Sequence, residues 1–115
     1  MKKIKYTPDA ADKLRELKKY ISSEYGADTA RKIVKNITDT IRGLSEYEEK
    51  GPEVSKIFGV STDYRYIVIS RNYIFYRIED QYIKIINIYN EKEDFMWHLF
   101  GIDTTPQETI DYWNE

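Results

Sequence analysis

The side chains of this chain that could carry acid–base or phosphate chemistry are few, and most are aromatic or cationic. There is no cysteine, which removes disulfides, thiolate nucleophiles and thiolate metal ligands, and the single histidine, His98, cannot build a multi-histidine metal site. Histidine has an ordinary pKa close to neutrality, so His98 is a candidate proton carrier. Eleven tyrosines supply hydroxyls and ring faces on which nucleic-acid bases can stack. Two cations, Arg65 and Arg77, are set inside apolar, tyrosine-rich runs. Each of these residues also has a plainer reading. A lone histidine between Trp97 and Leu99 suits a packed or surface position, and Tyr89 at the end of an apolar run suits a strand edge. Arg77 can pair with a neighbouring acid, and Arg65 can tie one segment to another.

The elements that must position these groups fit one domain of 115 residues. The chain is 41% hydrophobic and 33% charged, too apolar for a disordered segment and too charged for a membrane one. The longest apolar run is Tyr66-Ile67-Val68-Ile69, so no segment spans a bilayer. The basic start, Met1-Lys2-Lys3-Ile4-Lys5-Tyr6, lacks the apolar stretch of a signal peptide, and a cytoplasmic location is expected. Charge is uneven: residues 1–42 hold eleven Lys/Arg against six Asp/Glu, while residues 78–115 hold two against nine. A basic half can attract a polyanion, although lysines on a helix are commonly its solvated side.

Lys3-Ile4-Lys5-Tyr6 alternates as a short strand does. Thr7-Pro8-Asp9 then offers a capping hydroxyl, a proline for the first helical position and an acid for the first turn. The helix it opens carries Ala10, Leu14, Leu17 and Ile21 on one stripe and stops at Gly26. A second helix, from about Asp28, carries Ala30, Ile33, Val34, Ile37, Ile41 and Leu44. Residues 45–63 read as a polar connection with little regular structure. Three β-rich runs, 64–69, 73–78 and 82–89, follow with short separations and predict an antiparallel meander. Asn90 and Glu93 form a capping box ahead of Phe95–Phe100, with a stop at Gly101, and Thr105-Pro106-Gln107-Glu108 announces a further short helix whose Ile110, Tyr112 and Trp113 could dock on the body. The expected fold is α+β, in the order β-α-α-β-β-β-α, with a helical hairpin packed on an antiparallel sheet.

That order, with Thr62-Asp63-Tyr64-Arg65-Tyr66-Ile67-Val68, Asn72-Tyr73-Ile74-Phe75-Tyr76-Arg77-Ile78, Ile85-Ile86-Asn87-Ile88-Tyr89 and the ending Asp94-Phe95-Met96-Trp97-His98-Leu99-Phe100-Gly101, resembles the RelE/ParE family of bacterial toxins. The resemblance covers residues 1–101 and leaves 102–115 as an extension. It implies half of a type II toxin–antitoxin, or plasmid-stabilisation, module, in which a labile antitoxin neutralises a growth inhibitor. One branch of the family inhibits translation by cleaving mRNA in the ribosome, and the other poisons DNA gyrase; a degenerate homologue that binds antitoxin without toxicity is a third outcome. No cofactor or metal is expected.

For the nuclease branch the resemblance makes Arg65 and Arg77 the first candidates for phosphate contacts, with Tyr73, Tyr89, Lys92 and His98 as further catalytic candidates. Where many relatives carry a basic cluster after the last strand, this chain reads Asn90-Glu91-Lys92-Glu93-Asp94. Three carboxylates there repel a phosphodiester by about 1 kcal/mol each at a few ångströms in water. The residues therefore lean toward a protein target such as gyrase. For the antitoxin, the basic residues Lys13, Lys18, Lys19, Arg31, Lys32 and Lys35 suit an acidic segment that folds on binding.

Overall fold

The computed structural model describes residues 1–102, so the helix expected after Thr105 lies outside the described residues. The chain runs β1 (Lys3–Tyr6), α1 (Pro8–Tyr25), α2 (Ala27–Gly43), α3 (Val54–Phe58), β2 (Arg65–Ile69), β3 (Asn72–Ile78), β4 (Tyr82–Asn90) and α4 (Phe95–Phe100). The α+β architecture is the one expected from the sequence, with one added short helix in the connection where little regular structure was anticipated.

Local chemistry sets the first turn. Thr7 Oγ1 accepts from the Ala10 N–H at 3.0 Å and donates to the Ile86 carbonyl at 2.7 Å. One hydroxyl thus caps α1 and ties it to β4. Gly26 separates the helices at φ 95°, a backbone region that L side chains rarely adopt. The stripes then meet the sheet: Ala10, Ile37, Ile41 and Leu44 are buried against Ile67, Ile74, Tyr76, Ile83, Ile85 and Ile88.

The sheet order is β1-β4-β3-β2. The meander is antiparallel as expected, and β1 closes it by pairing in parallel with β4, Lys3 opposite Tyr82 through Tyr6 opposite Ile85. Strand alternation sends one set of side chains to the helical hairpin and the other to a second face. That second face is aromatic: Phe75 and Tyr89 are buried there beside Tyr64, Tyr66 and Tyr73, under Val54 and Phe58 of α3 and Phe95, Leu99 and Phe100 of α4. A bulge at Ile86 lies between the Phe75–Asn87 and Tyr76–Ile85 pairs and shifts the register there by one residue.

Only the Glu93 half of the Asn90–Glu93 box forms, and it does a different job from the one its sequence suggests. Asn90 ends β4, its N–H donates to Glu93 Oε1 at 3.0 Å, and its side-chain oxygen accepts from the Lys92 N–H at 3.0 Å. The helix starts later, capped by Asp94 Oδ1 accepting from the Trp97 N–H at 3.2 Å. The box therefore closes the turn out of the sheet.

Candidate functional site

Arg65 opens β2 opposite Tyr76, so its side chain shares the helix-facing side of the sheet with the Tyr76 ring. Its guanidinium is four-fifths buried and already engaged. Nη1 donates to the Gly51 carbonyl at 2.8 Å and more weakly to the Glu49 carbonyl at 3.5 Å, and Nη2 lies 4.0 Å from Glu53 Oε1. The same loop is held from the other side by Tyr76, whose hydroxyl accepts from the Gly51 N–H at 3.0 Å and donates to the Glu48 carbonyl at 2.7 Å. Burial pushes the Tyr76 hydroxyl pKa up, against the opposing pull of the Gly51 N–H and of Arg65. Gly51 is required here because a Cβ would sit 2.2 Å from the Tyr66 carbonyl oxygen. Arg65, Tyr76 and Gly51 thus fasten residues 48–53 over the start of β2.

Arg77 follows Tyr76 directly and therefore points to the opposite, aromatic side. Its Nε lies 3.4 Å from Asp63 Oδ2 and 4.0 Å from Glu79 Oε2. The structure does not bring Arg65 and Arg77 to one surface. Tyr73 lies on the aromatic side within a ring cluster, its centroid 4.7 Å from Phe95 and 5.7 Å from Tyr66. Lys92 is exposed in the acidic turn between β4 and α4.

Tyr89 and His98 do come together. Their rings stack at 5.7 Å with a 9° interplanar angle, and Tyr89 is 6% exposed while His98 is exposed. Asn87 Nδ2 donates to the Tyr89 hydroxyl at 2.9 Å, leaving the phenol its own proton to give. Burial raises the Tyr89 pKa, against Asn87, with the Glu93 and Asp9 carboxylates adding to the rise. At neutral pH Tyr89 is thus a proton donor rather than a base. Lys13 sits 5.2 Å from the Tyr89 ring centroid and bonds Glu93 Oε2 at 2.7 Å. Burial opposes the charge on Glu93, but Lys13 and the Asn90 N–H outweigh it and hold the carboxyl below its ordinary value. Lys13, Asn87, Tyr89, Glu93 and His98 form one contiguous group. Sequence reasoning missed Asn87 and Glu93 in it; the period-2 alternation that places Asn87 and Tyr89 on the same side was the available signal.

The remaining basic residues lie on the outer side of the helical hairpin. Lys18, Lys19, Arg31, Lys32 and Lys35 are exposed. Arg15 and Arg31 pair with Asp12 and Asp28 along their own helices, and Lys35 and Arg42 both reach Asp39. Among the described residues Lys18, Lys19 and Lys32 make no ion pair. Lys13 stands apart from this set, committed to Glu93 at the sheet's end. A groove of about 520 Å³ runs between α1 and the β2–β3 turn over Leu17, Ile21 and Ile88. Among the described residues there is no group of three or more side chains able to hold a metal ion, and no helix is long and apolar enough to cross a membrane.

Comparison with known proteins gives these features a family. No curated protein matches the chain significantly. A solved structure described as the chromosomal ParDE toxin–antitoxin system from P. aeruginosa has the same fold, with a TM-score of 0.66 at 19% identity, covering 78% of this chain and 96% of that one. Residues 4–95 match the family described as the ParE toxin of the type II toxin–antitoxin system parDE. This stretch takes in the strand, the hairpin, the meander and the first residue of α4. The chain therefore belongs to the ParE toxin family of type II toxin–antitoxin systems.

Proposed function

We propose that this chain is the growth-inhibiting toxin of its module, neutralised by a cognate antitoxin, and that it acts by binding a protein target of the DNA gyrase type rather than by cleaving RNA. The observation that carries this reading is the separation of the two arginines. A phosphodiester cleavage site needs its cations converging on one phosphate. Here Arg65 is spent on backbone carbonyls on the helix side, and Arg77 lies on the other side between two carboxylates. The aromatic face, to which Arg77 and Tyr73 belong, is filled by Phe58, Phe95 and Phe100. The acidic turn around Lys92 adds repulsion.

A second reading, ribosome-dependent mRNA cleavage, draws on the one place where proton carriers do converge. Tyr89 as acid, with His98 and Lys13 at its ring, could serve a leaving oxygen. Antitoxin recognition is assigned to the basic outer side of the hairpin, where Lys18, Lys19, Arg31, Lys32 and Lys35 would receive an acidic segment, without Lys13, which is engaged by Glu93.

Controlled expression without antitoxin, followed by separate labelling of new protein and new DNA, tests the proposal. DNA synthesis failing first supports a gyrase-type target. Protein synthesis failing first, with the effect abolished by Tyr89→Phe or His98→Ala in a folded protein, would replace it with the nuclease. Continued growth with soluble, folded protein would identify a homologue that keeps the fold without the toxicity.

A further inference from the structure

The second face of the sheet carries a row of cations in direct register. Ile4 and Tyr6 of β1 pack into the core under the helical hairpin, as do Ile83 and Ile85 of β4. Alternation therefore sends Lys3 and Lys5, with Tyr82 and Lys84, to the other side. Lys5 stands opposite Lys84, and Lys84 stands opposite Arg77 of β3. Adjacent strands lie about 5 Å apart, so the row crosses about 10 Å of sheet, with Lys3 about 7 Å from Lys5 along β1. Like charges directly opposite one another destabilise a sheet. The fold relieves only one end of the row, where Arg77 lies between Asp63 and Glu79. Among the described residues Lys3, Lys5 and Lys84 make no ion pair. Lys5 Nζ lies instead 5.2 Å from the Tyr82 ring centroid.

Lysine on an edge strand wards off other strands, and that alone accounts for Lys3 and Lys5 of β1. It does not account for Lys84, because β4 is paired on both sides. A local rule broken inside a sheet points to function, and here the function is to meet an anion. The make-up of the surface says which one. A protein partner is gripped by an apolar or aromatic centre, where lysine is depleted, whereas this surface is mostly lysine. A single-stranded nucleic acid needs ring faces on which its bases stack. The neighbouring rings of this face, Tyr64, Tyr66, Tyr73, Phe75 and Tyr89, are packed with α3 and α4, and Tyr82 is engaged by Lys5. Duplex DNA needs neither, since its bases stack on each other and its backbone offers one charge per about 1.7 Å of axis. Lysine side chains suffice to hold that backbone without reading its sequence.

We propose that Lys3, Lys5 and Lys84 form a contact site for the phosphate backbone of duplex DNA. This goes beyond the toxin reading and stands whichever protein the toxin strikes. For a target that itself works on DNA, the site holds the toxin beside that target's substrate.

The test titrates the full chain into a fluorescein-labelled duplex of mixed sequence and follows anisotropy at several salt concentrations. Three phosphate contacts give a log–log slope of about −2.7, so binding weakens about fortyfold from about 50 to about 200 mM salt. Lys3→Gln, Lys5→Gln and Lys84→Gln should each reduce that slope by about 0.9. The triple variant should lose the binding while melting no lower than the parent, because the cross-strand repulsion is gone. Should the triple variant fail to fold, the slopes of Lys3→Gln and Lys5→Gln, both at exposed positions, still decide the matter. Absence of duplex binding at the lower salt, or unchanged slopes in the single variants, would overturn the proposal. So would tighter binding of a single strand of the same length, or of polyglutamate at equal charge. Loss of binding in Lys18→Gln/Lys19→Gln/Lys32→Gln, with the strand variants binding as before, would move the DNA to the hairpin and equally overturn it.

Discussion

Replacing Arg65 by alanine separates a residue that holds the fold from one that waits for a phosphate. The substitution removes a charged hydrogen bond of 2.8 Å to the Gly51 carbonyl and a weak one of 3.5 Å to Glu49. The contact with Glu53 is 4.0 Å long and partly solvated, and contributes little. A hydrogen bond to a charged group contributes about 1.5–3 kcal/mol, so the loss is about 2 kcal/mol. In a domain of this size that lowers the melting temperature by about 8 °C, near 4 °C per kcal/mol. Urea titration followed by circular dichroism should show a lower midpoint with an unchanged slope, since the surface exposed on unfolding is the same. Tyr76→Phe, which releases the Gly51 N–H and the Glu48 carbonyl, should couple to it, because the two side chains hold the same residue, Gly51, by its carbonyl and its N–H. If Arg65→Ala kept full stability while toxicity disappeared, the tethering argument would fail and Arg65 would belong to a working surface.

Three further perturbations test other parts of the structure. Gly51→Ala places a methyl group 2.2 Å from the Tyr66 carbonyl oxygen and should destabilise by about 1–3 kcal/mol in a denaturant titration; Gly43→Ala, in open space at the end of α2, should be neutral or slightly stabilising. Ser70 and Arg71 form the β2–β3 turn at φ 51° and 63°, so replacing them with Asn-Gly should raise stability by about 1 kcal/mol, read as a higher melting temperature. Glu93 has a lowered folded pKa, so its contribution is present above the ordinary carboxylate value of about 4.3 and is lost as pH falls through the folded value. Glu93→Gln should flatten the stability–pH profile in that acid range, and an unchanged profile would show that the Lys13 contact adds nothing to folding.

What the sequence made legible was local. Thr7-Pro8-Asp9 cap α1 as their types require, and the helical stripes and the strand alternation put Ala10, Ile37, Ile74 and Phe75 in the interior. The bond from the Asn90 N–H to Glu93 was legible in the sequence but its location was not, because the same bond can close a turn after a strand, and the Asn90 side chain there takes the Lys92 N–H instead. The partners of Arg65 were hidden for a different reason. They are backbone carbonyls fourteen and sixteen residues away, and a carbonyl has no residue type to read. The opposite orientation of Arg65 and Arg77 could have been found only with the β2–β3 register in hand, since each strand alone permits either side. The pairing of Tyr89 with His98 needed the position of α4, which follows from where Phe95, Leu99 and Phe100 find aromatic neighbours.

The parallel pairing of β1 with β4 sets the order in which a nascent chain can become a toxin. Lys3 and Tyr82 are neighbours in the sheet although 79 positions separate them. Contacts this distant require a long loop closure and form slowly compared with the hairpins. During synthesis α1 and α2 leave the ribosome with their apolar stripes uncovered, because the sheet that buries them is still untranslated. Only when Tyr82–Asn90 has emerged can the first strand find its place and the hairpin its floor. A product terminated before Tyr82–Asn90 therefore lacks the closed sheet, and the working fold appears only after that strand has emerged.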